Sequence, residues 1–437
     1  MSKSFRPWDV DQVWMLPPTV HDLVPAGHLA HLVRDTVRES LDLSEILGTY
    51  DEARGYPPYH PAMMTALLLY AYCQGVYSSR RIARSCKERV DFMAVTALQR
   101  PDFRTVSDFR KRHLAALSNL FGQVLALCQQ AGLVRLGHVA LDGTRVKANA
   151  SKHKAMSYGR MKSTEARLAA EVQRWFGEAD TADAREDREY GANRCGDELP
   201  AWVADKQQRL QRIREARAAL EAQARAEAES EEKGTGAKRG RRSQTPKGVP
   251  PEGAQRNFTD PESRIMKTKD GFIQGYNAQA AVDAESQVIV ARGLTQAATD
   301  VGQLAPLVRQ IKENTGRQAQ ELSGDAGYCS EENFKELNRR HIRGYVATGR
   351  QKHGEASATG GQRKLGPRTV AMHRKLRRGG FRSRYRLRKQ TVEPVFGQIK
   401  QARGFRQFLL RGVEKVRGEW DLICTAHNLL KWAATVD

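Results

Sequence analysis

From Leu136 onward the chain takes on a strand texture, and the order of the patterns that follow restricts the fold to a few choices. GHVALDGTRVKA alternates His138, Ala140 and Asp142 with Val139, Leu141 and Gly143, the period of a strand. A second strand-rich block begins near Gly271, where FIQGYNAQAAVDAESQVIVARGLT reads as a hairpin turning around Ala284–Ser286. ATDVGQLAPLVRQIKENTG is then a helix capped by Thr299 or Asp300. ELSGD ends a short strand, SEENFKELNRR is a helix capped by Ser330, and GYVAT is another strand. Strand, hairpin, helix, strand, helix, strand, helix describes an α/β sheet with helices on its faces.

The pattern is interrupted once. Residues 157–230 are rich in Ala, Glu, Arg and Gln, which favours long exposed helices such as a coiled hairpin. Residues 231–256 combine Gly, Pro, Lys and Arg without apolar periodicity, as expected of a disordered basic loop. Because the strand pattern resumes afterwards, 157–256 reads as an insertion within a sheet domain spanning 131–437.

Residues 1–130 read as a separate, all-helical N-terminal domain. Leu29, Leu32, Val33, Val37 and Leu41 recur at helical spacing. Pro61 suits the first turn of the helix AMMTALLLYAYCQG. SSRRIARSCKERVDFMAVTAL follows, with Ser78 or Ser79 as its cap, and TVSDFRKRHLAALSNLFGQVLALCQQAG reads as one long helix ending at Gly132. Short helices with Arg80, Arg81 and Arg84 on one of them suit a helix-turn-helix-like DNA-binding module, against a helical packing domain with a solvated basic face.

A formal net charge of +22 over 437 residues is costly for a compact protein unless a polyanion neutralises it, and nucleic acid is the usual one. The six cysteines are scattered without the close spacing of a zinc or redox site. The first residues lack the apolar core of a signal peptide, and LLLYAY is too short to span a bilayer. A cytoplasmic, nucleoid-associated protein without a membrane partner is the expectation.

Three acids stand out by position. Asp142 lies in the first strand. Asp325 follows the ELSG strand, where Gly324 and Gly327 let the backbone bend tightly, and Glu393 sits in TVEPVFGQIK at a helix start. Carboxylate oxygens are the hard ligands that magnesium or manganese prefer. Two such ions roughly 3.5–4 Å apart activate an attacking oxygen and stabilise the leaving one in phosphodiester chemistry. Singly, each acid has a plain structural reading: a strand end, a turn aspartate, a helix-start carboxylate. Asp283 and Asp300 read as structural acids, and His427, Asn428, Trp420 and Trp432 as parts of a packed helix. Lys147 and Asn149 continue the first strand, toward DNA or toward a solvated edge. The basic run 368–389, interleaved with Phe381 and Tyr385, reads as phosphate-binding because it leads into Glu393.

LDGTRVKANAS, SGDAGY and TVEPVFGQIKQARGFRQFLLRG resemble the three signature blocks of bacterial insertion-sequence transposases of the DDE class, and residues 20–110 resemble the helical domain preceding them. The resemblance implies a ribonuclease-H-like mixed sheet flanked by helices, carrying Asp142, Asp325 and Glu393 as the metal-binding catalytic triad, with two Mg2+ or Mn2+ ions. It implies a tyrosine, arginine, glutamate and lysine signature, here Tyr385, Glu393 and Lys400, with either Arg388 or Lys389 as the basic member. It also implies double-stranded DNA partners, the element's terminal inverted repeats and a target, joined by a homodimer in a synaptic complex. A DNA-binding regulator, an inactive relic of a transposase, or another ribonuclease-H-like nuclease are the alternatives. Lys400 follows Glu393 by seven residues and so shares its helix face, as does Gly397, while Val392, Val395, Phe396 and Ile399 face inward. Pro394 is expected to start the helix at Glu393 and to leave Tyr385–Lys389 outside it.

Overall fold

The structure, a computed structural model, describes residues 19–50, 58–190, 201–233, 246–268, 271–349 and 366–436. Helices come first: α1 (Leu29–Glu39), α2 (Ser44–Leu47), α3 (Pro61–Cys73), α4 (Ser79–Glu88), α5 (Val90–Thr96), α6 (Phe103–Arg112) and α7 (Leu114–Gln130). Two segments expected to be single helices are each broken. Arg89 is extended between α4 and α5, where it pairs with Asp91 at 2.5 Å and covers the Phe92 ring. His113 leaves the helical region between α6 and α7 because its ring is held between Tyr50, whose hydroxyl lies 3.1 Å from Nε2, and Phe109. Tertiary contacts override periodicity at both points.

Strand β1 (His138–Lys147) opens the sheet. Short strands β2 (Ala155–Ser157) and β3 (Gln255–Asn257) then pair with each other, and the insertion between them holds helices α8 (Tyr158–Tyr190) and α9 (Ala201–Lys233). Lys206 on Glu171 and Arg214 on Glu165 show that the two helices run antiparallel. Tyr158, Met161, Leu168, Leu210, Ile213, Ala216 and Leu220 give this hairpin its own small core. The expected disordered stretch 231–256 is otherwise in part. Residues 231–233 finish α9, and 246–256 return as turns and β3, while 234–245 lie outside the described residues. Backbone hydrogen bonds explain the order: the first amides of α8 need acceptors, and the Glu252 and Ala254 carbonyls take those of Gly159 and Tyr158.

The remainder builds the sheet: β4 (Arg264–Thr268), β5 (Gly271–Asp283), β6 (Ile289–Thr295), α10 (Leu304–Thr315), β7 (Glu321–Gly324), α11 (Glu331–Arg339), β8 (Arg343–Val346), α12 (Pro367–Gly379), α13 (Leu387–Gly397) and α14 (Val413–Ala433). β1 lies between β5, antiparallel with Asp142 opposite Ala280, and β7, parallel with Val139 opposite Leu322. β8 extends the sheet parallel to β7, while β4 and β6 pair with successive halves of β5. This is the ribonuclease-H-like mixed sheet with flanking helices that the resemblance implies. β5 and β6 turn around Ala284–Ser286 as expected, with Gln287 in the left-handed region at φ 61°. β4 carries no strand pattern that the sequence revealed; it exists because β5 offers it a ladder.

One continuous core joins the N-terminal helices to the sheet, from Val33, Leu67 and Phe121 through Val139 and Ala280 to Trp420 and Leu422. Each fully buried leucine in it contributes roughly 1.5–3 kcal/mol. At its centre Arg292 of β6 pairs with Asp421 of α14 at 2.6 Å, donates to the Ser118 carbonyl of α7 and lies 3.9 Å over the Phe121 ring. Three elements from distant parts of the chain thus meet on one guanidinium. Breaking a buried pair leaves a charge without compensation, at a cost of about 3–5 kcal/mol. Arg292→Ala should therefore lower the midpoint of chemical or thermal unfolding markedly, whereas the double variant Arg292→Met with Asp421→Leu should recover most of the loss.

Candidate active site

β1 delivers Asp142 to the middle of the sheet, and Asp325 directly follows β7, one strand away. Asp142 is 13% exposed and Arg388 is 12% exposed, and the guanidinium Nη2 lies 2.8 Å from Asp142 Oδ2. The other arm of Arg388, Nη1, lies 3.1 Å from Oε1 of Glu393, which is 49% exposed. Arg388 also acts on the charge of Asp325. One cation therefore pairs with two carboxylates, from β1 and α13, and its charge also reaches a third just after β7. Of the two basic candidates, Arg388 faces these acids, whereas Lys389 is exposed to solvent. Burial outweighs Arg388 at Asp142 and, with Asp325 adding repulsion, pushes its carboxyl up to about 6. Asp325 is likewise raised, by burial first and by Asp300 as a negative neighbour. Arg388 is held firmly in its charged form by Asp142, although its Nε is buried without a partner.

Helix α13 begins at Leu387, earlier than Pro394 led us to expect, and it includes Arg388, Lys389 and Glu393, leaving Tyr385 in a preceding 3-10 turn. A proline inside a helix strands the carbonyl four residues back. Here that carbonyl belongs to Gln390, and the side chain of Gln287 donates to it at 3.2 Å. The same side chain accepts from Gln398 Nε2 at 3.2 Å and from Lys431 Nζ at 3.0 Å. The β5–β6 turn thus splints the helix on both sides of Glu393. Val392, Val395, Phe396 and Ile399 are buried as expected, and a Cβ added at Gly397 would meet only open space.

The glycines around Asp325 serve a different purpose from the one expected. Neither Gly324 nor Gly327 has a positive φ. A Cβ on Gly327 would lie 2.7 Å from Asp300 Oδ2 and 2.9 Å from Asp325 Oδ1, so the residue is small because two carboxylates crowd it. Asp325 Oδ1 also accepts from Gly327 N at 2.9 Å, the local turn bond its sequence suggested. Gly143, beside Asp142, is crowded in the same way by Gln279, Asp300 and Asn277.

Asp300, which the sequence reads as a structural acid, lies against Gly143 and Gly327 beside the two aspartates. It precedes a short 3-10 turn but makes no side-chain capping bond. Its Oδ1 instead accepts from Asn277 Nδ2 at 2.7 Å and Gln279 Nε2 at 2.6 Å, both on β5. Gln279 in turn accepts from the hydroxyl of the buried Tyr328. The polar residues Asn277 and Gln279 at alternate β5 positions, set among Ala278, Ala280 and Ala281, were the available signal. Asp283 is structural: it is buried and accepts from the amides of Arg135, Leu136 and Glu285.

The basic residues fall into two groups. Lys400 Nζ donates to Thr144 Oγ1 and to the Arg145 carbonyl, 2.9 Å away, and burial lowers its pKa. Tyr385 is partly buried near Arg388, and Lys147 is exposed at the end of β1. Asn149 donates to the Leu409 carbonyl at 2.8 Å and so braces a loop. Arg80, Arg81 and Arg84 are exposed on α4, with Arg80 over the Phe103 ring and Arg84 on Glu88. The structure does not link these three to the acids. His427, pushed down to about 3 by burial, lies 2.9 Å from the Gln287 carbonyl through Nε2, Asn428 clamps the backbone of Ile289, and Trp420 donates to the Gln279 carbonyl.

Among the described residues, no group of three or more His, Cys, Asp or Glu side chains converges as a metal cage. The donor chemistry nevertheless fits a hard divalent cation: oxygen ligands only, and two carboxyls raised by burial that the charge of Arg388 offsets only in part. Because the folded protein binds the Asp142 proton more tightly than the unfolded chain, this group adds no penalty below about pH 4 and a growing one up to about 6. In chelator, the thermal midpoint of the wild type should therefore fall relative to Asp142→Asn as pH rises through that window, then run parallel to it above. Profiles parallel throughout would remove burial as the source of the shift.

Comparison with known families adds the context. Residues 18–112 match the family described as a transposase domain (DUF772), and residues 248–429 match the transposase DDE domain. Asp325 and Glu393 lie within the second match; Asp142 lies between the two and reaches them through β1. No curated protein and no solved structure matches the chain. With the two matches covering both the N-terminal helices and most of the sheet, the chain belongs to the insertion-sequence transposases of the DDE class.

Proposed function

We propose that this transposase binds the terminal inverted repeats of its element and carries out strand cleavage and strand transfer with Asp142, Asp325 and Glu393. Transposases of this class act on DNA and generally use divalent metal ions. The observation that carries the residue assignment is the Arg388 guanidinium, ion-paired with Asp142 and Glu393 while its charge also acts on Asp325. Two acids from separate elements pair with one positive charge, and the third directly follows the neighbouring strand, within reach of that charge.

In this reading the three carboxylates would hold two ions, Mg2+ or Mn2+, which would supply activation of the attacking oxygen and stabilisation of the leaving one. The remaining roles belong to the chain. Asn277 and Gln279 hold Asp300 beside Asp325, fixing the acidic floor. Lys400, anchored to β1 at Thr144, keeps a cation one residue pair from Asp142, where a scissile phosphate needs its charge neutralised. Arg388 can exchange its carboxylate partners for phosphate oxygens, since its fork suits both. Tyr385 stands before it in the same turn. Recognition of the ends falls to residues 1–130, with Arg80, Arg81 and Arg84 exposed for phosphate contact. Joining two ends in one event calls for two copies of the chain in the synaptic complex. No helix among the described residues is long and apolar enough to cross a membrane.

A second reading, a protein that binds element ends without cutting them, is favoured by the Arg388 guanidinium, which already pairs with both Asp142 and Glu393. Cleavage of a DNA substrate carrying the native element ends separates the two. Wild type should nick and join DNA with Mg2+ or Mn2+, and Asp142→Ala, Asp325→Ala and Glu393→Ala should each lose activity by at least about a hundredfold, as loss of a transition-state electrostatic group does. Cleavage without joining would identify a simple nuclease. Binding itself is checked without catalysis: Mn2+ at a hundred times its dissociation constant should stabilise the wild type by about 2.7 kcal/mol. Asp142→Asn and Asp325→Asn should lose that increment. A wild-type midpoint that ignores the ion would sink the metal assignment.

A further inference from the structure

A groove of about 970 Å³ starts at Gly143 and Thr144, the two residues that follow Asp142, and runs along the end of β1. Its other walls are the β4–β5 hairpin and the segment after α13, whose Phe408 amide donates to the Lys147 carbonyl at 2.8 Å. Arg145, Lys147, Lys152, Lys400 and Arg406 line it, and no carboxylate does among its described lining residues. The groove adjoins the acidic centre, because Gly143 and Thr144 directly follow Asp142 in β1 and Lys400 Nζ donates to Thr144 Oγ1. On its wall stands Phe272, at 59% exposure the most exposed large apolar side chain among the described residues.

A cationic groove alone would suit any phosphate backbone. The ring narrows the choice. Bases in a duplex present only their edges, whereas an unpaired base offers a face on which an aromatic ring can stack. Five cations that neutralise phosphates together with one solvent-facing ring describe a site for single-stranded nucleic acid. We propose that this groove receives the unpaired DNA strand next to the scissile phosphate, with a base stacked on Phe272. The proposal rests on the cleavage function above, since strand separation beside Asp142 is what would deliver such a strand.

The test uses the full chain and two fluorescein-labelled probes, a short blunt DNA duplex and the same duplex with a single-stranded tail carrying a fluorescent base analogue. Wild type should bind the tailed duplex about tenfold more tightly, in the range found for one stacked base, and should quench the analogue. Phe272→Ala should abolish both effects while leaving the blunt-duplex affinity and the thermal midpoint unchanged; Phe272→Trp should retain both. Lys147→Gln with Lys152→Gln should weaken the tailed probe and flatten its salt dependence. A wild type without tail preference, or a Phe272→Ala protein that keeps it, overturns the proposal. Equal weakening of both probes by Phe272→Ala also overturns it, by assigning the ring to duplex DNA. Metal-dependent cutting of the blunt substrate is scored separately. Cutting without tail preference refutes the groove alone, and tail preference without cutting refutes the proposed chemistry alone.

Discussion

A carboxylate on the central strand of a buried sheet is costly to keep charged, and the structure around Asp142 is organised by that cost. Burial raises its pKa, Asp325 raises it further, and Arg388 is the counterweight. The guanidinium in turn must be held, and it sits on α13, which begins only two residues after Tyr385 and is interrupted by Pro394. Gln287 repairs that interruption by taking the orphaned Gln390 carbonyl. The β5–β6 turn, the helix and the central strand are therefore one mechanical unit. The partial compensation of the acids is what makes the centre receptive to further positive charge, because any cation that enters relieves a penalty the fold already carries.

The same unit has to survive an insertion of about a hundred residues between its first strand and the rest. Closing a long loop adds little entropy cost beyond that of a short one. The insertion reduces even this, since β2 and β3 zip its two ends together with Ala155 opposite Asn257. Its helices bury their own small core and pair charges along their length. The sheet can therefore close as though the insertion were a short connection, and Asp142 meets Asp325 despite their distance in the chain.

Much of this was legible beforehand. Strand and helix order followed from hydrophobic period, and the inward residues of α13 followed from their spacing. Other features depended on partners the period cannot encode. Arg89 and His113 break helices because of ion-pair and ring contacts, β4 forms because β5 is there, and residues 246–256 are ordered because the start of α8 needs acceptors. Asp300 looked like a helix cap and turned out to face the acids, since two amides on β5 bind it more favourably than the turn does.

By itself the sequence determined the class of fold, the basic surface, the three signature blocks and the candidate acids, because each depends on residue type and local spacing. Tertiary structure alone decided that Arg388 rather than Lys389 faces the carboxylates, that Asp300 joins them, and that a cationic groove with Phe272 on its wall opens beside Asp142. The reason is physical: charge compensation and steric crowding act between residues that are distant in the chain, and only folding sets their separation.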